Sequence, residues 1–276
     1  MFLRKIYYLL SPSLRRVVRI IYFLPVDLYE RILNKRSELV PPRGLIFIGR
    51  GNFEKFGDTY IKLFKELCEL KPEAKVLDIG CGIGRIARPL TKYLNKDGTY
   101  YGFDVVKNGI DWCNKAYIEF PNFHFKYVPL KNDLYNLSTS AEASQFTFPY
   151  NDDFFDLIII TSVFTHMQLN DVNRYISEIS RVLKKGKYCF CTFFLITKDS
   201  DEYLKNNKEP FFKYRYDNFF LHDNKVKDAN IAFRYEEIEK NLNASGLVIK
   251  SFYPGWWAGK EKNESLDFQD VVIITK

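Results

Sequence analysis

A chain of 276 residues fits one α/β domain with additions, or at most two small domains, and 46% hydrophobic residues supply enough core to exclude global disorder. The net charge of +7 is concentrated at the start, where eight basic residues against three acidic ones up to Pro42 leave +5. The near-neutral remainder has no basic stripe of the kind nucleic-acid-binding domains carry, so no nucleic-acid partner is expected.

Residues 1–42 read as a basic amphipathic helical extension ending at Pro41-Pro42. Arginines interleaved with Leu, Ile, Tyr and Phe suit an interfacial helix touching a membrane surface through residues 1–40. They also suit a helical arm packed across the domain or a partner subunit. No apolar run approaches a bilayer span, and no small-residue cleavage site follows the start. A glycine-punctuated loop or short hairpin is expected over 43–57, then a helix whose apolar face includes Ile61, Phe64 and Leu67, stopped by Pro72.

Strand and helix then alternate. Strands are predicted at 75–79, 99–103, 123–128, 157–161 and 188–195, and helices at 85–94, 109–119 and 172–183. The run Leu157-Ile158-Ile159-Ile160-Thr161 has no polar alternation, as expected of a strand covered on both faces. A polar, aromatic insert over 198–230 follows, carrying Phe211, Phe212, Tyr214, Tyr216, Phe219 and Phe220. It reads either as a lid over the substrate or as an irregular flap. A helix at 235–245 and strands at 247–253 and 270–275 close the chain, and the turn 254–259 offers either an aromatic wall or a hairpin corner. The whole predicts a doubly wound α/β, Rossmann-like fold over 43–276, with a mostly parallel seven-stranded sheet and an antiparallel last strand.

The five cysteines, Cys68, Cys81, Cys113, Cys189 and Cys191, include no C-x-x-C pair. An odd count argues against both a disulfide framework and a zinc site and points to a reducing, cytoplasmic setting, with no metal expected.

The chemistry concentrates at Asp78-Ile79-Gly80-Cys81-Gly82-Ile83-Gly84, between the first strand and the first helix. Ligands bind such sheets at the carboxyl ends of the strands, and glycines let the backbone approach them closely. Asp104, 20 residues after Gly84 at the end of the second strand, is placed to accept hydrogen bonds from ribose hydroxyls. A nicotinamide-binding oxidoreductase would carry G-x-G-x-x-G for its diphosphate. Here the glycines are evenly spaced behind an acid.

That pattern resembles the first motif of the class I S-adenosylmethionine-dependent methyltransferases. The stretch 144–157, the segment Thr161-Ser162-Val163-Phe164-Thr165-His166-Met167 and the turn Leu183-Lys184-Lys185-Gly186-Lys187 are similar to the family in order and spacing, although Pro-Gly-Gly is usual at that turn. The resemblance implies S-adenosylmethionine as cofactor. It also implies that Gly80, Gly82 and Gly84 meet its methionine portion, with Cys81 a small packing residue between them. Asp78 would orient the loop or the ammonium group, and Asp104, with Val105 beside it, would take the ribose. Thr161 joins the cofactor set at the end of the fourth strand, and Ala143 and Ser144 would flank the adenine after an extra stretch at 129–140. His166 lies on the substrate side, as a general base for a hydroxyl or amine or as a locally satisfied histidine. His222 is a weaker candidate for the base and His124 reads as structural. The implied reaction is methyl transfer to an oxygen or nitrogen nucleophile on a small-molecule, glycan or lipid-linked acceptor. A non-catalytic methyltransferase-like binding module and an NAD(P)-dependent oxidoreductase are the alternatives.

Overall fold

The computed structural model describes residues 12–276 except 50, 133–135, 137, 209, 225, 227 and 228; the part of the helical extension over 1–11 lies outside the described residues. In chain order the elements are α1 (Pro12–Ile32), α2 (Phe53–Cys68), β1 (Lys75–Ile79), α3 (Ala87–Leu90), β2 (Thr99–Asp104), α4 (Lys107–Ala116) and β3 (Phe123–Tyr127). There follow β4 (Phe155–Ile160), α5 (Leu169–Val182), β5 (Leu183–Phe193), β6 (Leu195–Ile196), α6 (Lys198–Asn206), β7 (Tyr214–Arg215), β8 (Phe219–Leu221) and β9 (Ile231–Arg234). The chain closes with α7 (Tyr235–Ala244), β10 (Val248–Tyr253) and β11 (Asp270–Thr275).

Seven strands form one sheet in the order β10-β11-β5-β4-β1-β2-β3. β1 pairs in parallel with both β2 and β4, and β11 runs antiparallel to β5 and β10. The expected Rossmann-like sheet with an antiparallel last strand is therefore present. The order reverses about β1, and the carboxyl ends of β1, β2 and β4 meet at that switch point. Leu157 to Ile160 are no more than 1% exposed, which explains their unbroken apolar run.

Local differences from the sequence reading have physical causes. Over 85–94 only α3 is helical, since Pro89 lies mid-run and supplies no N–H to a helix ladder. α2 begins at Phe53, earlier than expected, because the Asn52 side chain caps it by accepting from Lys55 N at 2.8 Å. β5 begins at once after α5, and the turn residues 184–187 form a bulge: Phe155 pairs with Leu183, but Leu157 pairs with Tyr188. Residues 43–57 contain a 3-10 turn at Arg43–Leu45 instead of a hairpin.

The insert is more ordered than its composition suggests. β6, β9, β8 and β7 build a second, four-stranded sheet. Its apolar side packs around Phe194, Phe212, Phe220 and Trp257, all buried, and the turn at 254–259 delivers Trp257 to this small core. Asp270 ties the two sheets together by accepting from Leu195 N (2.6 Å), Gly255 N (2.8 Å) and Trp257 Nε1 (2.9 Å). On the other side of the large sheet, Glu178 of α5 accepts from Phe148 N and pairs with Arg181, which also donates to the Phe148 and Tyr150 carbonyls. That cluster fixes the segment leading into β4.

Phe212 is fully buried, with its ring against Phe194 and Trp257. Phe212→Ala is expected to cost about 3–5 kcal/mol, read as a lower urea midpoint at unchanged slope.

Candidate active site

The end of β1 carries a carboxylate into a nearly dry environment. Asp78 is 1% exposed; its Oδ2 accepts from the Tyr100 hydroxyl at 2.7 Å, while its Oδ1 is buried with no hydrogen-bond partner among the described residues. Burial raises Asp78 to about 7, against the lowering effect of the Tyr100 hydrogen bond and with a further raising contribution from Asp104. One strand over, Asp104 ends β2. Burial lifts it to about 6, although amides of Val106 (2.7 Å, to Oδ1) and Gly82 (2.8 Å, to Oδ2) hold its carboxylate.

These contacts shape the glycine loop. Gly80 N and Cys81 N both donate to the Phe103 carbonyl, at 2.9 and 3.1 Å, so the loop is pinned to the end of β2 at three points. Gly80 has φ +74°, and a Cβ there would lie 2.3 Å from Val163 Cγ2, so a side chain has neither the backbone angle nor the space. Cys81 is buried against Gly102, with its thiol pushed well up by burial.

A cavity of about 890 Å³ opens over this loop. Asp78, Gly80, Cys81, Gly82, Asp104, Val105, Ala143, Thr161 and His166 line it together, although 88 residues separate the first from the last. Gly84 and Ser144 do not join them. Gly84 faces α4, its carbonyl accepting from the Tyr117 hydroxyl at 3.0 Å, so its lack of a side chain serves helix packing. Ser144 instead donates to Glu142 at 3.3 Å. Neither His124 nor His222 lines the cavity; His222 stacks on Phe211, with Nδ1 2.6 Å from its carbonyl oxygen. No described residue of the insert 198–230 lines it either.

Other cavity residues were not singled out in the sequence. Arg85 lies with its guanidinium 3.7 Å from the centroid of Phe56, alongside Gly49. Burial lowers its pKa, opposed by the acidic groups of Tyr60, Asp267 and Asp78. Gln269, just before β11, receives two hydroxyls on its carbonyl oxygen, from Thr192 (2.6 Å) and Ser162 (3.1 Å). Among the described residues its amide nitrogen has no hydrogen-bond partner, and Gln269 lines the cavity. Ser162 itself adopts φ +56°, an uncommon angle for a non-glycine residue, with its N–H bound to Thr192 Oγ1. Arg19 and Phe23 of α1, with Arg43 and 46–49, form the outer wall. Adjacency to Gly84 was the available clue for Arg85; nothing in the local sequence marks Gln269 or α1.

The donor set suits a cationic sulfonium ligand bearing a ribose: an orphaned buried carboxylate oxygen for the positive charge, and a second carboxylate at the neighbouring strand end for a diol. Burial favours protonated Asp78 in the folded chain. Its contribution to stability is therefore full below the usual carboxylate range and is lost as pH rises through about 7. A cation selects the ionised form, so affinity for S-adenosylmethionine should run the opposite way. Calorimetry is expected to show affinity rising as pH increases through about 7. Tyr100→Phe removes a hydrogen bond that favours the carboxylate, so the midpoint should move upward; a flat profile would contradict the assignment.

The model of the methyltransferase domain family matches residues 77–191. A ubiquinone biosynthesis O-methyltransferase of Pelagibacter ubique is 33% identical over 135 residues, covering 48% of this chain and 48% of that protein. A sterol 24-C-methyltransferase of Schizosaccharomyces pombe is 26% identical over 140 residues, covering 51% of this chain and 33% of that protein. The chain thus spans half or less of the length of these curated relatives. Among solved structures, a S-adenosylmethionine-dependent methyltransferase of Methanosarcina mazei superposes with a TM-score of 0.51 at 22% identity, covering 75% of this chain and 94% of the other. The evenly spaced glycines behind Asp78, the switch-point cavity and the family match agree: residues 77–191 carry a methyltransferase domain, which implies S-adenosylmethionine as the cofactor.

Proposed function

We propose that the protein transfers the methyl group of S-adenosylmethionine to an oxygen or nitrogen nucleophile on a small-molecule, glycan or lipid-linked acceptor, with a lipid-linked acceptor favoured. The observation that carries the cofactor half is Asp78, whose Oδ1 has no partner among the described residues and which lines a cavity together with Gly80, Gly82 and Asp104. Asp78 would hold the cationic amino acid portion, Asp104 and Val105 the ribose, Gly80 and Gly82 the methionine chain, and Ala143 and Thr161 the base. The cofactor supplies an electrophilic methyl and its own leaving group, so the protein's tasks are to orient, desolvate and, where needed, accept a proton.

On the acceptor side, His166, on the 3-10 turn Phe164–His166 and lining the cavity, would accept a proton from a hydroxyl or amine. Gln269 would donate to an acceptor oxygen. The apolar wall of Phe23, Ile46, Phe47, Ile48, Leu130 and Met167 favours an acceptor with substantial apolar surface. The relatives named for ubiquinone biosynthesis and for a sterol point the same way.

Calorimetric titration is expected to show S-adenosylmethionine binding and no NADH binding, with Asp104→Asn weakening the former by about tenfold or more. Well-folded protein that binds neither ligand would favour a non-catalytic module. With methyl-labelled cofactor and cell extract split into organic and aqueous phases, label should enter the organic phase, and His166→Ala should lower its rate by about a hundredfold. Label confined to the aqueous phase would exclude the lipid-linked acceptor. An unchanged rate in the variant would remove His166 from proton transfer.

A further inference from the structure

α1 is turned largely inside out. Asp27, Glu30 and Arg19 face the domain together with Ile20 and Phe23, while most of its apolar residues face solvent. Asp27 accepts from the amides of Arg43 (2.7 Å) and Gly44 (3.0 Å) and pairs with Arg36 at 2.8 Å. Glu30 pairs with Arg43 at 2.6 Å and Arg36 at 3.4 Å. Gly44 is buried so tightly beneath the helix that a Cβ there would lie 2.9 Å from Ile20 Cα. The inner face is thus docked by specific contacts and cannot roll over without breaking them.

The outer face repeats at helical spacing and carries no charge along its centre. Val17 (48% exposed), Ile21 (64%), Tyr22 (75%), Leu28 (46%), Tyr29 (54%) and Ile32 (76%) all stand in solvent. Folded proteins in water seldom leave a continuous apolar strip of this length uncovered. On the helical wheel, Arg15 borders the strip on one side and Arg31 on the other. Both acids of the helix are turned inward.

We propose that this face docks on an anionic lipid surface, with α1 lying in the headgroup plane. An apolar strip bordered by arginines, with tyrosines among its residues, matches the layering of a bilayer interface. Charge decides between this and a second copy of the chain. A two-fold pairing of the strips would bring arginine borders against each other with no acid available on that face, whereas lipid phosphates accept them. The placement also has a consequence for the proposed acceptor. Arg19 and Phe23, on the inner side of the same helix, line the cofactor cavity, so docking would set the cavity beside the lipid phase. No described helix is long and apolar enough to cross a membrane.

The test is flotation of the full chain with vesicles of phosphatidylcholine alone or mixed with phosphatidylglycerol, alongside light scattering in free solution. The chain is expected to float with the mixed vesicles, to be released by high salt, and to be monomeric without lipid. The double variant Ile21→Glu/Ile32→Glu alters only exposed positions and should lose at least about tenfold in partitioning. Arg31→Glu should lose about fivefold or more. S-adenosylmethionine affinity should be unchanged in both, which separates a failure of docking from a failure of the cofactor assignment. A chain that stays at the bottom of the gradient as a monomer overturns the proposal. So does a dimer in free solution that the double variant dissociates, which would assign the face to a second copy.

Discussion

Two carboxylates buried at adjacent strand ends govern the rest of the site. Asp78 and Asp104 sit where β1 and β2 run in parallel register, deep enough that burial pushes both well above the ordinary carboxylate range. Such groups cost stability unless something compensates them. Asp104 is compensated internally, by the amides of Gly82 and Val106, and in accepting them it folds the glycine loop over the sheet. Asp78 is compensated only in part, by Tyr100, and its other oxygen has no partner among the described residues. The same desolvation thus builds the loop and leaves a carboxylate that a cation would stabilise.

The rest of the domain holds that arrangement still. The Glu178–Arg181 cluster secures the segment entering β4, and Asp270 joins the large sheet to the small one behind it. Between them, β4 and β11 bring Ser162 and Gln269 to the cavity rim, where Thr192 bridges the two. The strained Ser162 angle is held by this hydrogen-bond relay, an arrangement suited to presenting a fixed donor. The carboxylates and the glycine loop thus come from the centre of the sheet, and the residues across the cavity from segments that only packing brings together.

Much of this was legible in the amino-acid order. Unbroken apolar runs such as 157–160 require strands buried on both faces, and their alternation with amphipathic helices restricts the topology to a doubly wound sheet. Evenly spaced glycines flanked by Asp78, with Asp104 one strand later, point to the ligand end of such a sheet because they fall within one local βαβ unit, and the structure brings Asp78, Gly80, Gly82 and Asp104 to one cavity. Tertiary structure decided what depends on distant partners. It turned Gly84 towards Tyr117 and away from the cavity, cut the predicted helix at 85–94 down to α3, and ordered the aromatic insert as a sheet around Phe212 and Trp257. It brought in Arg85 and Gln269, and it turned the polar side of α1 inward through Asp27 and Glu30. Helical periodicity states that α1 has two faces, but which face meets the domain depends on ion pairs with Arg36 and Arg43 beyond the helix. The local pattern determined the elements and the cofactor motif; long-range hydrogen bonds and packing determined the orientation of everything around them.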